Sequence, residues 1–287
     1  MACSYNVVVT PNELRYNRPT LERQAVGGEG SVLLAIDIGN TTVALGVFEG
    51  EKLKATWRLS TDVHTLADEY ASLFYNLLKL EGLSFADVDK AIISSSVPPL
   101  VTTFEELCQR YCRVTPLVVG AGIKTGVRIL LDNPREAGPD RIVNAAAAHR
   151  LYGGPLIVID LGTATTLDAV SEEGDYLGGA IAPGIGISAE ALFERAAKLP
   201  RVELVSPKKA IGKGTVAAMQ SGLIFGYVGL IEGIVVRMRK ELGGKVRVIA
   251  TGGLADVIAN ETNVIDVLDP DLTLVGLRLI HELNSGR

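Results

Sequence analysis

Apolar and polar positions along this chain run through two similar cycles. From Val32 to Ile38 an almost continuous apolar run meets a glycine. It resumes from Thr42 to Phe48, turns at Glu49-Gly50 and continues from Lys52 to Arg58. This pattern predicts a three-stranded meander with a polar loop, Gly39 to Thr41, at its first turn. Leu66 to Leu80 carries apolar residues at helical spacing. Asp87 to Ser94 reads as a short strand before Val97-Pro98-Pro99, Thr103 to Cys112 as an amphipathic helix, and Leu117 to Val119 as another strand. Pro139 to Leu151 reads as an alanine-rich helix, opened by a proline whose missing donor costs nothing in the first turn.

After the break at Gly153-Gly154-Pro155 the cycle starts again. A strand from Leu156 to Asp160 leads into Gly162-Thr163-Ala164-Thr165-Thr166, a second strand through Val170 and a charged turn from Glu172 to Asp175. Beyond Leu192 to Ala197 come a long helix over about Thr215 to Leu242 and a strand over Val246 to Ala250. The loop Thr251-Gly252-Gly253, a helix from near Ala255 and a last helix over Leu272 to Leu283 complete the chain. The segments Ala35-Ile36-Asp37-Ile38-Gly39-Asn40-Thr41-Thr42 and Val158-Ile159-Asp160-Leu161-Gly162-Thr163-Ala164-Thr165 share one frame: apolar, apolar, Asp, apolar, Gly, polar, small, Thr. Two such starts predict an α/β protein with two lobes of related topology, residues 31–152 and 153–287, the last helix packing back on the first lobe. Residues 1–30 read as a flexible extension.

Composition narrows the function. With 47% hydrophobic and 21% charged residues over 287 positions, the chain has globular composition. A net charge of −5 and a pI near 5.4 give no basic face for a nucleic-acid backbone. Three cysteines, with Cys108 and Cys112 four apart, support neither a disulfide framework nor a zinc or redox motif. The histidines His64, His149 and His281 lie far apart. The uncharged stretch Gly214 to Ile231 carries Thr215, Gln220, Ser221 and several glycines, which reads as a buried helix rather than a membrane span. The first thirty residues lack the apolar core of a signal peptide, so the expected setting is cytoplasmic, with no membrane partner.

The chemistry concentrates at the two strand ends. Asp37 and Asp160 each end an apolar strand ahead of a glycine turn, where backbone donors can approach an anion while the carboxylate faces the same mouth. One Asp-x-Gly turn serves equally well to stop a strand. Two, one per lobe, are what a nucleoside-triphosphate cleft requires, since amides and hydroxyls grip phosphates while carboxylates hold cations against them. Thr251-Gly252-Gly253 allows a planar base or ribose to lie on backbone. Gly138-Pro139-Asp140-Arg141 sets a carboxylate and a guanidinium in a first helical turn, whose dipole favours an anion. There Asp140 suits the acceptance of a hydroxyl proton and Arg141 the binding of a substrate carboxylate. Gly212-Lys213-Gly214-Thr215 lacks the upstream glycine of a P-loop. Gly222, Gly226, Gly229 and Gly233 mark small faces on the long helix, for core packing or a dimer contact.

These residues together resemble the type III pantothenate kinases of the acetate-kinase, sugar-kinase, Hsp70 and actin superfamily. The matching segments are Asp37 to Thr41, Ser94 to Pro99, Gly138 to Arg141, Asp160 to Thr166, Gly178 to Pro183, Gly212 to Gly222 and Thr251 to Gly253. The resemblance implies an actin-like fold and ATP-dependent phosphorylation of pantothenate. It implies that Asp37, Ile38, Gly39, Asn40, Thr41, Thr42 and Val43 hold the ATP phosphates and Mg2+, and that Thr163 touches ATP. It implies that Asp160 binds a monovalent cation, K+ or NH4+, and that Asp140 is the proton acceptor. Gly138, Pro139, Asp140 and Arg141 would line the pantothenate site with Thr215, close to the interface of a homodimer. The chain departs from the family at Pro139, usually alanine, and at Leu131, usually tyrosine. These changes leave two further readings in play, a related phosphotransferase with another acceptor and a nucleotide-binding regulatory relative.

Overall fold

The computed structural model describes residues 30–286, so the expected N-terminal extension lies, up to residue 29, outside the described residues. The first meander is β1 (Val32–Ile38), β2 (Thr42–Glu49) and β3 (Lys52–Ser60), paired antiparallel. It is followed by α1 (Ala67–Leu80), β4 (Val88–Ser95), α2 (Pro98–Leu107) and β5 (Leu117–Val118). β4 joins β1 in parallel and β5 joins β4 in parallel, giving the sheet order β3-β2-β1-β4-β5. β1 is central and covered on both faces, which explains its unbroken apolar run. Leu34, Ile36 and Ile38 pack toward Phe74 and Phe104 of α1 and α2, and Leu33 and Ala35 face the other way.

The helix α3 (Pro139–Tyr152) then leads to a second sheet built in the same order. β6 (Leu156–Leu161), β7 (Ala164–Val170) and β8 (Tyr176–Pro183) form the meander. After α4 (Ile185–Arg195) and α5 (Thr215–Leu242), β9 (Arg247–Thr251) and β10 (Val267–Leu268) add in parallel, for the order β10-β9-β6-β7-β8. The short α6 (Ala255–Ala259) lies between the last two strands, and α7 (Leu272–Asn284) ends the fold. The repeated sequence frame thus marks a repeated strand order.

α3 and α7 stand between the sheets. α7 packs on β1, β2, β4 and α3, while α3 also meets β4, β6 and β7, so one apolar core runs from Leu33 and Ile92 through Val143 and Leu277 to Leu156 and Val158. The two helices touch closely at Gly276, where a Cβ would come within 2.7 Å of Val143 Cγ1.

Three expectations are corrected. The helix expected over Thr103 to Cys112 begins at Pro98, because Pro98-Pro99 fills the first turn instead of preceding it, and Cys108–Cys112 forms a π-helical turn that ends at Arg113 with φ 61°. α4 starts at Ile185 and ends at Arg195, earlier than the Leu192 to Ala197 segment. α5 is only half a buried helix. It is the one helix among the described residues long and apolar enough to cross a membrane. It presses Met219, Leu223, Ile224, Tyr227, Val228, Ile231 and Val235 into the core beside the second sheet and leaves its glycine side open. Composition does not distinguish those faces, because the outward positions are glycine rather than charged.

Candidate active site

The two glycine turns meet. Gly39 N–H donates to Thr42 O at 3.0 Å and Gly162 N–H to Ala164 O at 3.0 Å, so each strand end folds back over its own glycine. Across the gap between the sheets, Thr41 Oγ1 and Thr163 Oγ1 share a hydrogen bond of 2.7 Å. Thr61 fixes the first turn by donating to Gly39 O at 2.7 Å. Asn40, Thr41 and Gly162 are exposed at this junction, whereas Ile38 and Val43 are buried beneath it and serve the core.

Behind the turns three carboxyls come within electrostatic range of one another. Burial, then the negative charge of Asp140, pushes the Asp37 carboxyl up to about 7. Asp160 adds to that effect, and the nearby Ser94 hydroxyl opposes it. Ser94 sits opposite Asp37 in the β1–β4 register, is fully buried, and has no partner within hydrogen-bond geometry. Burial and Asp140 likewise push Asp160 up to about 6, against a 3.1 Å hydrogen bond donated by Asn144 Nδ2. Asn144, itself buried, is held from behind by Thr273 of α7, whose hydroxyl donates to Asn144 Oδ1 at 2.7 Å. Asn144 and Thr273 have no motif of their own, and the sequence gives no signal for them beyond a polar residue inside an alanine-rich helix.

Asp140 reaches this cluster from the first turn of α3, with Gly138 as N-cap and Pro139 at the first position. Its Oδ1 folds back over Gly138, where a Cβ would lie 2.6 Å away, so this glycine makes room for the carboxyl. Gly252, with φ +98°, closes the other side: a Cβ there would stand 2.6 Å from both Asp160 Oδ1 and Leu161 N. The Thr251–Gly253 loop is therefore packed on the second Asp-x-Gly turn.

Arg141 points to a residue the sequence reading missed. Its Nε donates to Asp168 Oδ1 at 2.8 Å, its Nη2 lies 2.5 Å from the same oxygen, and its guanidinium stands 5.7 Å from the centre of the Tyr176 ring. Asp168 is buried in β7 and also accepts from Tyr176 Oη at 2.7 Å and Thr166 Oγ1 at 3.1 Å. Leu131 is half-buried against the apolar core next to Gly178. Thr215, exposed at the start of α5, makes no hydrogen bond or ion pair with the aspartate cluster. A groove of about 750 Å³ between the β7–β8 hairpin and the end of α5 contains none of the three aspartates.

Paired glycine turns, converging carboxyls and a helix start carrying Asp-Arg make up the arrangement of a phosphotransferase, and a match along the chain decides which one. The family model for type III pantothenate kinase matches residues 33–237. The chain belongs to this family. Two curated relatives described as type III pantothenate kinase come from Dehalococcoides mccartyi. That of strain CBDB1 is 56% identical over 253 residues, covering 88% of this chain and 96% of the relative. That of strain ATCC BAA-2266 is 56% identical over 254 residues, covering 88% and 98%. Among solved structures, a conserved Baf-family protein from Campylobacter jejuni, titled a transcriptional activator, aligns at a TM-score of 0.53 with 18% identity over 88% of this chain and 98% of that one. Component A of (R)-2-hydroxyglutaryl-CoA dehydratase from Acidaminococcus fermentans aligns at 0.50 with 14% identity, over 90% and 100%. The fold is the actin-like one, two mixed sheets flanked by helices.

Proposed function

We propose that this type III pantothenate kinase transfers the γ-phosphate of ATP to the primary hydroxyl of pantothenate, giving 4′-phosphopantothenate and ADP, the first step of coenzyme A biosynthesis. The observation that carries the assignment of roles is the approach of Asp140, at the head of α3, to Asp37 and Asp160 behind two touching phosphate-type turns.

In this reading the turn from Asp37 to Val43 and Thr163 receive the ATP phosphates through backbone N–H groups and the Thr41 and Thr163 hydroxyls. Asp140 orients the acceptor hydroxyl and takes its proton late, as a loose transition state requires. Gly138, Pro139 and Arg141 line the acceptor pocket, with Leu131 at its edge, where a leucine contributes shape but no hydroxyl. Thr215, at the start of α5, would contribute to this pocket from the second lobe, close to the subunit interface.

The residues fit a cation. Asp37 and Asp160 are partly buried, raised and repelled by Asp140, no Lys or Arg is among the groups that shift them, and Ser94 Oγ lacks a partner beside Asp37. No trio of His, Cys, Asp or Glu among the described residues is spaced to cage a metal alone. Mg2+ keeps most of its ligands as water and phosphate oxygens and holds to a protein through one or two carboxylates. Asp37 would hold Mg2+ with ATP and Asp160 a monovalent cation, K+ or NH4+. Held by those carboxylates, such cations would supply positive charge beside the transferring phosphoryl group.

We assign a homodimer on the face formed by α4, α5 and β8. There Leu177, Ile181, Ile187 and Val236 are exposed, and Gly222, Gly226 and Gly229 leave open space above α5. The expected location is the cytoplasm.

The test is ADP release by the purified protein with ATP, Mg2+ and pantothenate, in K+ or in Na+ alone. Pantothenate-dependent release that needs K+ is the expected result. Release unaffected by pantothenate in either salt would sink the acceptor assignment, and equal rates in both salts would remove the cation role of Asp160.

A further inference from the structure

Asp168 lies outside every phosphate and acceptor segment. Its two oxygens nevertheless take all the polar contacts of one small cluster: Arg141 Nε and Nη2, Tyr176 Oη and Thr166 Oγ1. We propose that Asp168 is a positioning residue for phosphoryl transfer: by holding Arg141 it fixes the first turn of α3, and with it the Asp140 carboxyl against the phosphate-side turns. This rests on the reading of Asp140 as proton acceptor.

The geometry makes Asp168 a rigid tie between the two halves of the reaction. It projects from β7, the strand that begins immediately after the Gly162-Thr163 turn, so it is covalently close to the phosphate side. Its partner Arg141 is the neighbour of Asp140 in the first turn of α3, so it is covalently close to the acceptor side. The distance between the sides is therefore set through one ion pair, 1% exposed at the aspartate and 14% at the arginine. Tyr176 of β8 locks the aspartate by hydrogen bond and lies beside the guanidinium.

Space for the tie is reserved by Gly179. A Cβ at that position would overlap Leu167 O and stand 2.9 Å from Asp168 Oδ1 and 3.0 Å from Arg141 Nη2. Arg141 spends its Nε and one Nη on Asp168, which leaves the remaining donors and the exposed fraction of the guanidinium on the acceptor side, pre-oriented.

A purely structural ion pair and a positioning pair differ in what they cost when broken. Loss of a structural pair lowers stability and reduces every activity in proportion to the folded fraction. Loss of a positioning pair misplaces Asp140 while the nucleotide turns remain intact. Misplacement of about 1 Å costs on the order of 10²-fold in rate.

The experiment compares wild type, Asp168→Asn, Tyr176→Phe and Asp175→Asn. The last breaks another ion pair of the second sheet, Asp175 with Arg128, which is more exposed and makes no contact with Asp168 or Arg141. Steady-state kcat and KM for ATP and for pantothenate are measured with thermal melting and fluorescent-nucleotide binding. Asp168→Asn is expected to lower kcat about 100-fold, with KM for ATP and nucleotide affinity within about twofold. Tyr176→Phe should lower kcat about tenfold, the loss of one hydrogen bond to a charged group, and Asp175→Asn should leave it unchanged. A kcat for Asp168→Asn within twofold of wild type, or a parallel loss of nucleotide binding and turnover that follows the melting curve, overturns the inference alone. Absence of pantothenate-dependent turnover in wild type overturns the acceptor reading and the inference with it. If Asp168→Asn fails to fold, Tyr176→Phe decides: a tenfold loss of kcat at constant KM for ATP supports the tie, and a kcat within twofold of wild type refutes it.

Discussion

Asp37, Asp140 and Asp160 bring three partly buried carboxyls together, and their energetic consequence depends on what is bound. A carboxyl raised in the folded state binds more protons there than in the unfolded chain, so stability falls as pH rises from the unfolded value, about 4, toward the folded one. With Asp37 raised to about 7 and Asp160 to about 6, the protein free of nucleotide and divalent cation should melt several degrees lower at pH 8 than at pH 5. Thermal melting in EDTA checks this, and Asp37→Asn should flatten the slope. The proton-acceptor role makes a separate prediction. Asp140→Asn should reduce pantothenate-dependent ADP release by about 10²- to 10⁴-fold with nucleotide binding retained, as read by turnover and equilibrium binding together. Asp37 and Asp160 were legible because each ends an apolar strand ahead of a glycine. Asp168 was not, because in Ala164–Val170 a polar residue between apolar ones reads as solvent-facing, and only the packing of α3 over that face of β7 buries it.

Among the elements, the loop after β9 shows how a turn governs a site. Gly252 combines a positive φ with a Cβ position in contact with Asp160 and Leu161. Gly252→Ala should therefore lower stability by at least about 1 kcal/mol and reduce turnover further, by displacing the Asp160 carboxyl. Melting and kcat measured on the same preparation separate the two effects. The sequence announces the long regular elements through periodicity: β1, β2, α5 and α7 lie within a residue or two of expectation. It misplaces α2 because Pro98-Pro99 signals both a stop and a start. It leaves the segment from residue 120 to 138 only partly read, since the bridge of Ile129 to Tyr176 and the bonds of Asn284 to Lys124 are contacts between distant segments with no local pattern.

For the whole molecule, the exposed apolar side of α5 and β8 is the feature that a single chain leaves unsatisfied. With the second copy assigned there, sedimentation should give twice the 30.4 kDa chain mass, and Ile181→Asp, at a site 66% exposed, should halve it while leaving the fold intact by circular dichroism. With the acceptor pocket close to that interface, the same variant should raise KM for pantothenate more than KM for ATP. The two sheets of related order were legible from the repeated frame, whereas their joining through a common core needed the packing of α7 on α3 as well as on β1, β2 and β4, for which the sequence has no local pattern.

The position of α7 also has a consequence for biosynthesis. The first sheet is made early, but the helix that covers Leu33, Ala35, Phe48 and Ile92 comes from the final stretch of the chain. Until α7 is made, that half of the molecule has its strands, α1 and α2, and only the packing of α3 against β4 on its second face. Every strand of the second sheet precedes α7 along the chain, so this face of the first sheet closes after the second sheet has been synthesised.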